Sequence, residues 1–346
     1  MCLDSNLNCN MVKIIIDPAC NFYYSSFYVQ GLFELHPHKI IFSSSPFRDL
    51  SYTKHTHIFA FIFQEENKTT KAVIDFADST KIEKDFLGWS DVYGKINLEK
   101  QNVVDYENKI VSIAPNFAIK VWNKKMSTIK GLLNYLKSYN RTVEFRLFLS
   151  RYLMTLKRMP IFEKPEFITP NNLIFFYSTY WEGQDATNNH RKNFIRACKN
   201  IKEINFEGGL VNNDFNCPNS DIFIKNRINH HEYISKIKKS VIVFNTPAYH
   251  LCHGWKLGEY LALGKAIIST PLFNELPEKL EHEKNIYYVN GDLKGIEQAI
   301  HRLLNNKNLR EHLERGAYTY YKKNVAPIAV IKKLIDNSRG SLVIKA

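Results

Sequence analysis

A turn, a short helix and a buried strand are predicted between residues 253 and 270, and this stretch holds the residues best suited to chemistry. The turn and the helix start would present backbone N–H groups and the positive end of the helix dipole, which favour a phosphate group. Lys256 lies in the first helical turn, where the dipole disfavours a cation, and a bound anion would offset that effect. We therefore expect an anionic substrate to contact His253, Gly254, Trp255 and Lys256.

Glu259 is the second residue of this stretch that could do chemistry. Leu257 and Leu261 lie one helical turn apart and predict the buried face of the helix, and Glu259 lies off that stripe. Its carboxylate could then face a crevice and accept two hydrogen bonds from a vicinal diol such as a ribose. A surface glutamate on an amphipathic helix gives the same pattern, so the spacing alone leaves both interpretations open.

Carboxylates that follow predicted strands are candidates for a general base, which must lie within hydrogen-bond reach of the proton that it accepts. Asp17 directly follows the first predicted strand, and Asp75 and Asp78 end a later one. The Asp17-Pro18 sequence is also typical of an ordinary turn. Asp17 and Asp78 are the two candidates that we retain.

The second half of the sequence alternates between strand and helix patterns. Short apolar runs predict strands buried on both faces of a parallel sheet, at residues 173–177, 241–244, 266–269 and 286–289. Helical spacing separates the first three of these runs, and Gly264 ends the helix that carries Glu259. This alternation predicts βαβ units and a doubly wound sheet.

The first half is similar but less regular, and a proline-rich segment separates the two. Pro160, Pro165 and Pro170 exclude both a helix interior and a central strand there, which indicates a linker between domains. We expect an α/β protein with Rossmann-like domains at 1–160 and 161–324, disorder over 1–10, and a helix at 325–346 that could pack back on the first domain. Ligands should lie in the cleft between the domains, at the carboxyl ends of the strands.

A family resemblance rests on the stretch that starts at Glu259. The sequence Glu-Tyr-Leu-Ala-Leu-Gly-Lys-Ala-Ile-Ile-Ser-Thr resembles the C-terminal-domain signature E-x-x-A-x-G-K/T-P-x-I of GT-B glycosyltransferases. Together with the sequence on either side of this stretch, the resemblance covers about residues 173–322. One departure concerns Leu251, because GT4-type families carry a second glutamate at that position, eight residues before the first. The stereochemical outcome of the reaction therefore stays open.

The resemblance implies a GT-B fold, in which two Rossmann-like domains face each other across a cleft. The first would bind the acceptor and the second a nucleotide sugar, with Glu259 on the ribose and the preceding loop on the diphosphate. It further implies donor contacts for residues that follow the strand at 173–177 or begin later helices: Ser178, Thr179, Arg191, Lys192 and His230. For Arg191 and Lys192 a solvated basic turn is an equal alternative.

Neither a metal nor another cofactor is expected. The chain contains no Asp-x-Asp, the pair with which GT-A glycosyltransferases hold a divalent cation, and this supports the GT-B assignment. The neighbouring histidines His230 and His231 would point in different directions and do not form a metal site. Lys256, Arg191 and the helix start would then neutralise the leaving diphosphate.

The formal net charge of +13 favours an anionic partner. The expected function is transfer of a sugar from a nucleoside diphosphate to a saccharide or lipid-linked acceptor, as in bacterial surface polysaccharide or glycolipid assembly. We expect a cytoplasmic enzyme, compatible with peripheral contact with an anionic membrane, because the sequence has neither a secretory signal nor an apolar run of about 20 residues. The alternatives are a basic nucleic-acid-binding protein, which lacks a recognisable binding motif, and a GT-B-shaped nucleotide-sugar epimerase.

Overall fold

The computed structural model describes residues 12–50, 57–66, 68–99, 109–138, 143–160, 165, 172–212 and 221–343. The predicted disorder of 1–10 and most of the proline-rich linker, including Pro170, lie outside the described residues. Within them, eleven strands and ten α-helices form the structure, so the predicted α/β class is confirmed.

The first sheet has six strands in the spatial order β2-β1-β3-β4-β5-β6. Their bounds are β1 Val12–Ile16, β2 Ile40–Phe42, β3 Ile58–Glu65, β4 Lys68–Asp75, β5 Val92–Lys95 and β6 Ile110–Ser112. Neighbouring strands are parallel except at β3, which runs antiparallel to both β1 and β4. This sheet differs from a wholly parallel one because only residues 66 and 67 separate β3 from β4, too few for a crossover connection.

The second half of the chain forms parallel strands only. They are β7 Leu173–Thr179, β8 Asn205–Val211, β9 Val243–Asn245, β10 Ile267–Ser269 and β11 Tyr287–Tyr288. β8 pairs with β7, and β9, β10 and β11 pair in that order. A backbone hydrogen bond of 2.8 Å from Val241 to Leu173 links the approach to β9 with β7, so the spatial order is β8-β7-β9-β10-β11. Helices predicted between the apolar runs form the crossovers as far as β10, whereas residues 270–286 connect β10 to β11 without a helix.

The α-helices cover the sheets and pack on one another. Their bounds are α1 Phe22–Leu35, α2 Lys84–Trp89, α3 Lys124–Ser138, α4 Phe145–Met154, α5 Asp185–Asn200, α6 His230–Lys239, α7 Trp255–Ala262, α8 Leu293–Asn305, α9 Lys307–Tyr320 and α10 Pro327–Val343. A π-helical turn, Tyr321–Val325, stands between α9 and α10. Of the helices in the described ranges, none has both the length and the apolar character that a bilayer crossing requires.

The last helix returns to the first sheet. α10 packs on α1, and Ser338 Oγ lies 3.2 Å from Thr70 Oγ1 on β4. The approach to α1 is close because Gly31 has no side chain: a Cβ there would lie 2.4 Å from the Pro327 carbonyl oxygen. The largest apolar cluster accordingly includes residues of both halves of the chain, such as Phe59 of β3, Leu261 of α7 and Ile331 of α10.

We predict that Gly31→Ala lowers the free energy of unfolding by about 1–3 kcal/mol, because the new methyl group must displace the backbone at Pro327. Gly88→Ala in α2 is the matched control, since a Cβ there meets nothing within 4 Å. We expect this second change to be neutral or to stabilise by up to about 1 kcal/mol. Urea unfolding of both variants measures the difference, and equal midpoints would contradict the proposed close approach of α1 and α10.

Candidate functional site

A cavity of about 250 Å³ lies at the carboxyl ends of β4, β5, β7 and β9. Residues from both halves of the chain line it: Phe76, Asp78, Ile96, Asn97, Asn116, Trp181, Ala248, Tyr249, Cys252, His253, Gly254 and Trp255. We call it the cleft cavity. Four of the residues selected from the sequence meet here, namely Asp78, His253, Gly254 and Trp255.

The loop between β9 and α7 forms much of the cavity wall. His250 and Leu251 both have left-handed backbone conformations, with φ of 52° and 60°, and neither is glycine. Such residues cost about 1–3 kcal/mol each and persist only where the surroundings hold them. A hydrogen bond of 2.9 Å from the Ala248 N–H to the Cys252 carbonyl closes this loop. Leu251, which occupies the position of the second family glutamate, is exposed.

Arg191 on α5 contacts the beginning of this loop through hydrogen bonds. Its guanidinium group donates to Thr246 Oγ1 at 2.9 Å, to the Thr179 carbonyl at 2.7 Å and to the Pro247 carbonyl at 3.4 Å. The residue is 4% exposed, and burial lowers its pKa to about 10. Arg191 therefore carries its charge at neutral pH, and its partners among the described residues are neutral oxygens.

Lys256, at the start of α7, is the second cation of this region. Its Nζ donates to the Tyr177 carbonyl at 2.6 Å and lies 5.3 Å from the centre of the Phe176 ring. Desolvation, followed by the charge of Arg191, lowers the Lys256 pKa well below its ordinary value. Two basic side chains thus lie behind the cavity wall, and neither forms an ion pair with a carboxylate of the described residues.

Glu259 is buried, contrary to the expectation of an open carboxylate. It is 3% exposed, because α7 is enclosed on every side from Leu257 to Ala262. A Cβ on Gly258 would lie 2.8 Å from the Pro115 carbonyl oxygen, which shows how closely the first half of the chain covers this helix. The stripe formed by Leu257 and Leu261 does not separate a buried face from an exposed one, because both faces of α7 are in the protein interior.

The Glu259 carboxylate already has two partners. Its Oε1 accepts a hydrogen bond from Arg158 Nη2 at 2.7 Å and lies 2.9 Å from His230 Nε2. Among the described residues, no partner binds Oε2. His230 begins α6, and its buried Nδ1 has no hydrogen bond within the described chain.

Arg158 is the site residue that the sequence did not reveal. It follows α4 in the first half, and its partner Glu259 stands 101 positions later in the chain. Its Nε also donates to the Ala118 carbonyl at 3.1 Å, and its guanidinium carbon lies 5.1 Å from the centre of the Trp255 ring. No local pattern distinguishes this arginine from the other basic residues around it.

His253 joins the two halves at the cavity. Its backbone N–H donates to Asn97 Oδ1 at 2.8 Å, and its Nε2 donates to the Asn274 carbonyl at 3.2 Å. The ring is buried, its Nδ1 has no hydrogen bond within the described chain, and burial lowers its pKa to about 4. His253 is therefore neutral at pH 7, and Asn97 is a second residue that sequence reasoning missed.

The two candidate bases differ in their positions. Asp78 is exposed at the rim of the cleft cavity, where Cys252 Sγ lies 3.5 Å from its Oδ1. Asp17 is fully buried, does not line this cavity, and accepts a hydrogen bond of 3.0 Å from the Ala19 N–H, which is the turn chemistry considered as its alternative. Asp75 is also buried, in an ion pair of 2.9 Å with Lys95 and a hydrogen bond from Tyr93.

The remaining candidates surround the cavity without lining it. Ser178 is buried within β7, and Thr179 contributes its carbonyl oxygen to Arg191. Lys192 lies with its Nζ 5.4 Å from the centre of the Tyr180 ring. The described part of the chain contains no group of three His, Cys, Asp or Glu side chains arranged to hold a metal ion.

Comparisons with known proteins give likenesses of fold only. No protein-family model and no curated protein matches the chain. A glycosyltransferase from Rickettsia africae is 12% identical, over 76% of this chain and 69% of that one, with a TM-score of 0.43. Solved structures similar to this chain therefore include glycosyltransferases, the class that the stretch at 259–270 resembles.

Two further similar structures are those of proteins whose names include a nucleotide sugar or its complex. Anabaena HepE in complex with UDP-glucose is 10% identical over 73% of this chain and 79% of that one, with a TM-score of 0.35. A putative UDP-N-acetylglucosamine 2-epimerase from Listeria monocytogenes is 11% identical over 96% of both chains, with a TM-score of 0.40. At these identities no individual site residue is transferred from one protein to the other.

We predict that His253 makes stability depend on pH. The unfolded chain binds a proton at about pH 6.5, whereas folded His253 binds it only at about pH 4. The unfolded state therefore gains protons first, and stability falls by roughly 3 kcal/mol as the pH is lowered from about 6.5 to about 4. His253→Gln should lack this component, which urea unfolding at a series of pH values measures. Parallel pH profiles for the two proteins would contradict the buried, neutral state of His253.

Proposed function

We propose that this protein is a glycosyltransferase that uses a nucleoside-diphosphate sugar and acts in the cleft cavity. The observation that carries the proposal is the pair of basic side chains behind the cavity wall, Arg191 and Lys256, whose hydrogen-bond partners among the described residues are neutral oxygens. A charge removed from water without a counter-charge is unfavourable. An anionic ligand at this position would supply the missing charge.

The diphosphate of the donor is assigned to the start of α7. The first N–H groups of a helix have no acceptor within the helix, and they attract anions together with the helix dipole. Gly254 leaves room for a ligand here, since a Cβ at this position would meet only the Ala248 side chain, at 3.3 Å. Lys256 and Arg191 would then stabilise the charge that develops on the leaving diphosphate.

The ribose of the donor is assigned to Glu259. Both protein contacts of its carboxylate fall on Oε1, so Oε2 is the oxygen that a ribose hydroxyl group would bind once the side chains that enclose Glu259 move apart. Arg158 and His230 would hold the carboxylate in place from the opposite side. A sugar in the cleft cavity would meet three aromatic side chains, Trp181, Tyr249 and Trp255, as is common in ligand pockets.

Asp78 is the base that we propose for the transfer. The oxygen of an acceptor hydroxyl group forms a bond to the anomeric carbon, the bond from that carbon to the diphosphate oxygen breaks, and the hydroxyl proton passes to Asp78. Asp78 suits this role because it is exposed at the rim of the cavity, on the half of the chain opposite Lys256. The acceptor that we propose is a saccharide or a lipid-linked saccharide.

We predict that Lys256→Gln and Glu259→Gln affect the binding of different parts of the donor. Removing the Lys256 charge should lower the affinity for both inorganic diphosphate and nucleoside diphosphate by at least about tenfold. Glu259→Gln should lower only the affinity for nucleoside diphosphate, because inorganic diphosphate has no ribose. Calorimetric titration with diphosphate and with UDP, GDP and dTDP measures both effects.

The control for this experiment is Lys192→Gln, which removes a cation that lies on the Tyr180 ring outside the cavity wall. Its ligand affinities should stay close to those of the unchanged protein. If neither Lys256→Gln nor Glu259→Gln alters any affinity while both variants remain folded, the donor site is not at α7 and the proposed function fails with it.

We also predict that sugar transfer continues in EDTA. In the proposed site the positive charge on the donor diphosphate comes from Arg191, Lys256 and the helix start rather than from a divalent cation. The measurement is transfer from the donor identified by titration, with and without chelator. Loss of transfer in EDTA that manganese restores would contradict the assignment of charge neutralisation to these residues.

A further inference from the structure

Helix α3 has its polar face inside the protein and its apolar face outside. The residues that it buries are small or polar: Ser127, Gly131, Asn134 and Ser138. Gly131 packs on Leu149 of α4, and Asn134 donates a hydrogen bond of 3.0 Å to the Tyr152 hydroxyl. An ordinary surface helix shows the reverse arrangement, so the outer face of α3 requires a separate explanation.

The outer face consists of five large aliphatic side chains. They are 38–73% exposed and account for five of the twelve exposed large hydrophobic residues in the described ranges: Met126, Ile129, Leu132, Leu133 and Leu136. At about 100° per residue they fall within an arc of roughly 120°, opposite the buried face. We call these five residues the α3 stripe. It extends along a helix of 15 residues, which is about 22 Å long.

The charges of α3 are all positive. Lys124, Lys125, Lys130 and Lys137 lie in this helix, which contains no aspartate or glutamate. Lys130 and Lys137 are seven residues apart, so they flank the α3 stripe along one edge, and Lys125 lies at its beginning. The Nζ of Lys137 donates to the Phe42 carbonyl at 3.0 Å, so Lys125 and Lys130 are the lysines of this group that a head group would meet first. Long lysine side chains can extend past an apolar surface and keep their ammonium groups in a polar layer.

We propose that the α3 stripe docks on a bilayer that contains anionic lipids, with α3 parallel to the membrane plane. A single exposed helix with aliphatic side chains on one face and lysines beside it has the character of an interfacial membrane helix. The stripe lacks the aromatic and arginine side chains that dominate binding between proteins, and its lysines complement anionic head groups. This inference does not depend on the proposed transfer reaction.

The test is sedimentation of the full chain with vesicles of equal amounts of phosphatidylcholine and phosphatidylglycerol. We expect binding that weakens with added salt and that is much weaker on pure phosphatidylcholine. A variant with Leu132, Leu133 and Leu136 changed to serine should bind the anionic vesicles at least about tenfold more weakly. These side chains are on the surface, so the thermal unfolding of the variant should match that of the unchanged protein.

The matched control changes Leu147 and Met154 of α4 to serine. Both are exposed large hydrophobic residues outside the α3 stripe, and this variant should bind vesicles as the unchanged protein does. Equal losses in the two variants, or no binding to anionic vesicles, would overturn the proposal. So would a dimer in solution that the α3 variant alone dissociates, because the stripe would then be an interface between two copies of the chain.

Discussion

The buried ion pair between Glu259 and Arg158 is the contact on which the arrangement of the two halves depends most. Oε1 of the glutamate lies 2.7 Å from the guanidinium group, and the glutamate side chain is almost fully enclosed. Removing one partner of such a pair typically costs about 3–5 kcal/mol, because the other charge stays buried without compensation. Around this pair, His230 lies at the same carboxylate oxygen and the Trp255 ring lies beside the Arg158 guanidinium group.

Two other contacts explain why the loop before α7 can adopt an unfavourable backbone. His250 and Leu251 are both left-handed, and residues on either side of them are fixed independently. Arg191 binds the carbonyl of Pro247, and Asn97 binds the N–H of His253. With its two ends held by different elements, the loop has little freedom to relax. The wall of the cleft cavity is thus determined by contacts that come from several parts of the sequence.

The second half of the fold could be predicted from sequence because its strands are short apolar runs buried on both faces. β7, β9 and β10 lie where those runs indicated, and α7 ends at Ala262, before Gly264. The direction of β3 was not evident, since an apolar run carries no information on which neighbour it pairs with. Among the site residues, local patterns located the turn at 253–256. They could not show that Glu259 is enclosed. Nor could they show that Arg158 binds Glu259 or that Asn97 binds His253, because those contacts join residues more than 100 positions apart.

The return of the chain to the first sheet has a mechanical consequence. The backbone passes between the two sheets once before β7 and again at the π-helical turn Tyr321–Val325, after which α10 packs on α1. Two covalent connections define a line, and rotation about that line is the movement that stretches neither of them. A relative movement of the two halves would therefore be confined to rotation about that line, and it would have to break the Glu259–Arg158 pair. Because Asp78 and Lys256 belong to different halves, such a rotation would change the distance between them.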